Sequence, residues 1–402
     1  MYGGPKVRAA PLPYRKLFGQ AELDAVISVF ENSWESEADF GFQSTYETLY
    51  TEAFREFQGG GFADAVCSGS VAVYLALMAL DLEPGSDVVV SPVTDPGGVS
   101  AVILAGMNPI LADSLPNSFN TGPEQFEKAL SDNTRAAVLT HVGGHSLDMD
   151  PIMEIAKSRN VIIIEDCSHA HGALYKGRKV GTFGGIAAFS TMFSKGYATG
   201  GCGGVVYTRN QDYYWRVRAL ADRGKPFSDP EFDPRDSSAF LFPSLNYNLD
   251  ELSCAIGIST LSRLPETIER RLAIAERMDR GLERSRLARP CRRLPDAVPS
   301  PYYHTVEVDV DRLTVTKKEF AEAIAAEGVW INPHCRDTVA EWAWLRPYLK
   351  GRGKTPNAIG FRDRSFNILF NERFTDADAD CVVESILKVE AALANFSGEP
   401  AR

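Results

Sequence analysis

An α/β architecture is expected from this chain: a large, mostly parallel sheet flanked by helices, then a smaller C-terminal α+β domain. Three observations lead there. From about Gln20 onward short apolar runs alternate with helical patterns, the alternation gives out around Ser259, and 402 residues exceed what one hydrophobic core usually covers.

The strand-like runs, in order, are Asp87–Ser91, Pro109–Asp113, Ala136–Thr140 and Val161–Glu165, each short and apolar and bounded by polar residues. Helical patterns at Val71–Leu80, Pro96–Ala105, Pro123–Leu130 and Pro151–Ser158 separate or flank them, long enough to bring each next strand back parallel. Proline near the start of several of these helices, and Gly106 and Asn160 after two of them, fit the asymmetry of helix ends. Beyond Ser259 come a long charged helix, Glu266–Leu287, a strand, Tyr302–Val308, and helices at Lys317–Glu327 and Asp376–Leu393. The expected division is an N-terminal arm over 1–20, a large domain over 21–258 and a small domain over 259–402.

A net charge of −11 with no basic run argues against nucleic acid or an anionic membrane as a partner. The seven cysteines are scattered without metal or redox spacing, so buried free thiols in a reducing compartment are expected. The N-terminal residues lack the charged and apolar segments of a signal peptide, and no apolar stretch is long enough to span a bilayer. A cytoplasmic location is expected.

The chemistry concentrates at three places. Lys195 follows an apolar strand and precedes the glycine-rich Gly200-Gly-Cys-Gly-Gly204; Asp166 ends the run Val161-Ile-Ile-Ile-Glu-Asp; Ser68-Gly-Ser70 opens the first crossing helix. An amine in a desolvated setting favours the neutral form that imine formation needs. A carboxylate facing a ring nitrogen keeps that ring cationic, and a helix N-terminus with a glycine favours a phosphate. A lysine for a Schiff base, an aspartate for a pyridinium and a glycine-serine turn are the three anchors of pyridoxal 5'-phosphate (PLP). Each has a plainer reading alone: a surface lysine, a helix cap, an ordinary turn. Ser190 offers a second hydroxyl to the phosphate. His169 reads as a neighbour of the ring's phenolic oxygen or as a buried histidine, and for His171 the buried histidine is preferred.

Five stretches then occur in a recognisable order: Ser68-Gly-Ser70, Leu147-Asp-Met-Asp-Pro-Ile152, Glu165-Asp-Cys-Ser-His-Ala-His-Gly-Ala173, Phe189-Ser190 with Lys195, and Gly200-Gly-Cys-Gly-Gly-Val205. The chain resembles the DegT/DnrJ/StrS aminotransferases from roughly Gly19 to Leu393. That family installs amino groups on keto-sugars and cyclitols in secondary metabolism, antibiotics included, and in surface glycans. The resemblance implies fold type I of the PLP enzymes, a homodimer with shared active sites, and glutamate or glutamine as amino donor to a small-molecule keto acceptor. It implies Gly69, Ser70 and Ser190 as phosphate ligands, Asp166 at the pyridine nitrogen, His169 beside the ring oxygen and Lys195 as the Schiff-base lysine. Asn246 is implied to reach the phosphate of the neighbouring protomer.

Two positions depart from the family pattern. Asp95 stands where an aromatic side chain usually stacks on the cofactor, so it reads either as a cofactor-side carboxylate meeting a polar or basic group, or as a turn residue before Pro96. Asn248 replaces an arginine. Tyr302, Tyr303, His304 and His334 lie where acceptor-facing loops fall, packing at a domain junction being the other reading, and Arg336 offers a cation for a diphosphate.

Rival readings remain. Histidine replaces the lysine in the family's dehydratases, and Lys195 argues against one. A PLP-dependent lyase, cyclase or oxidase acting on an amino acid stays open, as does a non-catalytic regulator keeping the fold. A nucleotide-dependent dehydrogenase lacks its Gly-x-Gly-x-x-Gly after the first strand.

Overall fold

The computed structural model describes residues 4–333 and 338–395, so His334 and Arg336 lie outside the described residues. Helices α1 (Gln20–Ser36) and α2 (Thr45–Gln58) lead into β1 (Phe62–Val66), α3 (Gly69–Met78), β2 (Asp87–Val90), α4 (Pro96–Leu104) and β3 (Asn108–Leu111). The alternation continues through α5 (Pro123–Ala129), β4 (Thr134–Thr140), α6 (Met149–Ser158) and β5 (Ile162–Asp166). After the short pair β6 (Leu174–Tyr175) and β7 (Arg178–Lys179) come β8 (Ile186–Ser190), β9 (Gly204–Thr208), α7 (Gln211–Ala221) and α8 (Glu251–Ser262).

The seven strands of the large sheet lie in the order β1-β9-β8-β5-β4-β2-β3. Only β9 runs against its neighbours, pairing antiparallel with both β1 and β8. The remaining ladders are parallel, as the alternation requires. Strands β2 and β8 are buried along their whole length, which is why they read as apolar runs rather than as alternation, and β9 is buried throughout as well. Ala72, Leu75 and Ala76 of helix α3 share one buried cluster with Val88, Val138, Ile164 and Ile186 of the sheet. Gly106 and Asn160 close their helices in the left-handed conformation, at φ +77° and +52°.

The chain continues through α9 (Leu264–Leu282), β10 (Ala288–Pro290), β11 (Ala297–Val298), β12 (His304–Val308), α10 (Lys317–Ala326) and β13 (Ile331–Asn332). It ends with α11 (Arg346–Leu349), α12 (Pro356–Asp363), β14 (Ser365–Ile368) and α13 (Asp376–Leu393). Strands β10-β12-β14-β13 form an antiparallel sheet whose core joins Ile274, Met278, Phe320, Phe366, Val382 and Ile386.

Three sequence expectations change here. The charged helix expected over Glu266–Leu287 is Leu264–Leu282, because Ser285 and the backbone of Arg286 bind Glu390 instead of continuing the helix. The strand expected from Tyr302 starts at His304, since the Tyr302 N–H is held by Gly143. Position 258/259 falls inside α8, and Val339, Leu345 and Leu349 pack into the large sheet's core. The arm also belongs to both halves: Leu12 enters the core of the small sheet while Arg15 reaches the loop after β8. Among the described residues no helix is long and apolar enough to cross a membrane.

Candidate active site

Strands β4, β5 and β8 end together, and the loop from β8 to β9 folds back over their carboxyl ends. A cavity of about 170 Å³ opens there, and Gly69, Ser70, Asp95, Asp166, His169, Ser190 and Lys195 all border it. Thr140, Ser168, Met192 and Cys202 complete much of the wall.

Asp166 is the last residue of β5, in register with Thr140 on β4 and Ala188 on β8. It is 5% exposed. Its Oδ1 accepts from the Ser168 N–H at 3.1 Å, and the Thr140 and Thr94 hydroxyls lie 3.2 and 3.5 Å from Oδ2. Beneath it, Glu165 accepts from the N–H groups of Gly181, Phe183 and Gly184 and from His141 Nε2 at 3.1 Å. The strand end is therefore anchored on both faces, which fixes the direction of the Asp166 carboxylate.

Lys195 lies in the β8–β9 loop, which closes on itself through the Thr191 N–H to the Gly203 carbonyl, 2.9 Å, and paired Thr191 and Thr199 hydroxyls, 2.8 Å. It is 7% exposed, makes no ion pair among the described residues, and holds its Nζ 4.8 Å from the centre of the Tyr302 ring.

The wall around Ser68–Ser70 is built by close approach. Ser68 caps α3, its Oγ accepting from the Val71 N–H at 3.2 Å. A Cβ at Gly69 would fall 2.4 Å from that of Ser190, and one at Gly97 would fall 1.9 Å from Ser70 Oγ, so only glycine lets these segments meet. Two helix N-termini, α3 and α4, converge on one place.

Asp95 caps a helix and also lines the cavity. Its Oδ1 caps α4 through the Gly97 N–H at 2.9 Å, and the side chain borders the cavity. His169 accepts from the Gly143 N–H at Nδ1, 3.4 Å, and its ring stacks on Tyr302. Burial first, then the Lys195 charge and His171, hold it well below the usual histidine range, so it stays neutral and offers Nε2–H. His171 is buried edge-on against Tyr197, and burial takes it down to about 3. Asn246 does not border this cavity. It is exposed and accepts from the Asn248 N–H and side-chain amide at 3.1 and 2.8 Å.

Tyr302 is the residue whose part the sequence left undecided. Its tandem with Tyr303 before an apolar run was the available signal, and no local pattern tied it to a lysine 107 positions earlier. His304 does not border the cavity, and its Nε2 lies 3.1 Å from an Asp279 carboxylate oxygen. Thr94, Thr140 and Arg15 carried no local signal.

A parallel sheet with a buried lysine, a buried aspartate and two helix N-termini at its strand ends defines an aminotransferase built on the PLP-dependent transferase fold. The chain belongs to the DegT/DnrJ/EryC1/StrS aminotransferase family, whose model matches residues 20–387. GDP-perosamine synthase of Caulobacter vibrioides is 30% identical over 271 residues, covering 67% of this chain and 70% of that protein. A putative L-glutamine:3-amino-2,3-dideoxy-scyllo-inosose aminotransferase of Micromonospora echinospora is 28% identical over 401 residues, covering 96% of this chain and 92% of that one. The solved aminotransferase from Psychrobacter cryohalolentis superposes with a TM-score of 0.88 at 27% identity, covering 95% of this chain and all of that one.

Proposed function

We propose that the chain moves an amino group from glutamate or glutamine to a ketone on a sugar or cyclitol, with PLP as cofactor. One observation carries this reading: the Lys195 amine, the Asp166 carboxylate and the N-termini of α3 and α4 line a single cavity. The donor set fits the cofactor. Asp166 would face the pyridine nitrogen, Lys195 would hold the aldehyde carbon, and Gly69, Ser70 and Ser190 would take the phosphate.

Bound there, PLP supplies an electron sink when the donor Cα–H bond breaks and carries the amino group between the half-reactions. Asp166, buried and fixed by Ser168 and Thr140, would hold a proton on the ring nitrogen. Lys195, which makes no ion pair among the described residues and holds its Nζ 4.8 Å from the centre of the Tyr302 ring, would be the amine that takes and returns the proton of the donor Cα. Neutral His169 would offer its Nε2–H to the ring's phenolic oxygen. Val73 and Met192 exclude water from the wall.

Relatives named for GDP-perosamine and for an amino-scyllo-inosose support a polyhydroxylated ketone as acceptor. A homodimer with shared sites belongs to the same reading. Leu23, Ile27, Phe30 and Trp34 recur at helical spacing along α1 and are exposed, as are Leu241 and Leu245 beside Asn246. Asn246 would then serve the partner's phosphate. A cytoplasmic location fits the six described cysteines, all of them free.

The test is the visible absorbance of the purified protein before and after glutamate or glutamine, then the masses formed from keto-sugars and ketocyclitols. Pyridoxamine phosphate and an aminated product are expected. Lys195→Ala should abolish turnover, and wild-type turnover by that variant would overturn the reading.

A further inference from the structure

Two arginines far apart in sequence grip the site in the same way. Arg15 donates to two consecutive carbonyls, Lys195 at 2.7 Å and Gly196 at 2.8 Å, and its Nε reaches Glu372 Oε1 at 2.9 Å. Arg271 donates to the consecutive carbonyls of Pro301 at 2.7 Å and Tyr302 at 2.6 Å, and its Nη1 reaches Glu372 Oε2 at 3.2 Å. One carboxylate thus joins two forks. All four carbonyls lie outside any strand ladder, so beside the Lys195 N–H bond to Met192 and the Tyr302 N–H bond to Gly143 the forks fix the acceptor side of these loops.

The turn that carries Glu372 also holds the arm. Asn371 Nδ2 donates to the Pro13 carbonyl at 2.9 Å and Arg373 to that of Tyr14 at 3.0 Å. The three side chains are largely buried, with 17%, 8% and 14% exposure for Arg15, Arg271 and Glu372. Burial opposes the Glu372 charge, but the two guanidiniums outweigh it and hold the carboxyl below its usual range. Between the gripped segments the Tyr302 ring stands 4.8 Å from Lys195 Nζ, and its hydroxyl pairs with Ser194 Oγ at 2.9 Å.

We propose that Arg15 and Arg271, joined by Glu372, are positioning residues that set the Lys195 amine against the Tyr302 ring, which makes the N-terminal arm part of the active site. The proposal rests on Lys195 being the proton-carrying amine. It adds that the amine's placement is decided from outside the cavity, by a segment more than 170 positions upstream of it and a turn as far downstream. An arginine fork that holds two carbonyls and a carboxylate at once has no lysine equivalent.

Arg15→Lys in the PLP-loaded full chain is the test. It keeps the charge and loses the double grip. The donor half-reaction with glutamate, followed in single turnover by cofactor absorbance, should slow by roughly ten- to a hundredfold, as a small misplacement of a reacting group does. The apparent Kd for glutamate should stay near wild type, and the pH midpoint of the visible band should move. Glu372→Gln should repeat the pattern. A lowered melting temperature with wild-type rate and wild-type midpoint would show a structural brace and overturn the proposal. Should Arg15→Lys fail to fold, Tyr302→Leu decides, because it removes the ring and leaves all four carbonyls: an unmoved midpoint overturns the proposal there as well. Inactive Lys195→Ala beside unaffected Arg15 and Glu372 variants would sink this inference alone; active Lys195→Ala would sink the function beneath it.

Discussion

The rings of His169 and Tyr302 lie parallel to within 18°, their centres 4.4 Å apart. A protonated imidazole there would lose solvation and meet the Lys195 charge at close range, so the stack belongs to a neutral histidine.

That neutrality is shared and has a sign. Burial takes His145 down to about 4 and His171 to about 3, and His169 also lies well below 6.5. The unfolded chain therefore binds protons that the folded chain refuses. Stability from these histidines is complete above about pH 6.5 and is lost progressively as the pH falls below it. Urea midpoints at pH 7.5 and 5.5 should show the loss, and His171→Phe should shrink it. An unchanged difference in that variant would contradict a buried neutral His171.

Asp95 should separate its two duties on substitution. Asp95→Asn retains a good cap for α4 and should leave stability within a few tenths of a kcal/mol, whereas Asp95→Ala should cost about 1 kcal/mol. Both remove a negative charge from the cavity wall, so both should lower the KM for anionic glutamate, more at low salt than at high. Equal KM values in all three proteins would mean that the carboxylate only caps its helix.

The site was legible where chemistry is local in sequence, and illegible where it is made by contact. Asp166, Ser70 and Ser190 each sit at a strand end or helix start that hydrophobic pattern reveals, and Lys195 follows in the loop after one such strand. Arg15 and Glu372 are separated by 357 positions and carry no pattern of their own. Strand β9 is hidden in the sequence because Gly200–Gly204 reads as loop and masks the start of Gly204–Thr208. The α8–α9 join went unread because Pro265, a breaker within a helix, sits at a helix start where its missing N–H costs nothing.

Gly97→Ala should weaken cofactor binding without touching the cofactor. Its methyl would fall 1.9 Å from Ser70 Oγ and 2.7 Å from Ser70 Cβ, so the serine must leave its place. Losing a hydrogen bond to a charged phosphate costs about 1.5–3 kcal/mol, or roughly ten- to a hundredfold in Kd. PLP titration of the apoprotein by absorbance measures it. A Kd equal to wild type would mean that Ser70 does not bind the phosphate.

Beside β1, two buried carboxylates share one guanidinium: Arg218 Nη1 donates to Glu47 at 2.9 Å and to Asp64 at 3.0 Å. Burial first, then the Asp64 charge, push Glu47 up to about 7, Glu251 adding to the rise and Arg218 opposing it. The folded chain here holds a proton that the unfolded chain, near 4.5, gives up. Stability from Glu47 is therefore greatest below about pH 4.5 and is lost as the pH rises through 7, opposite to the histidines. Glu47→Gln, which imitates the protonated acid, should match wild type in urea midpoint at pH 5 and exceed it at pH 8. An equal offset at both values would mean that Glu47 is ionised throughout, and that Arg218 neutralises both carboxylates despite their burial.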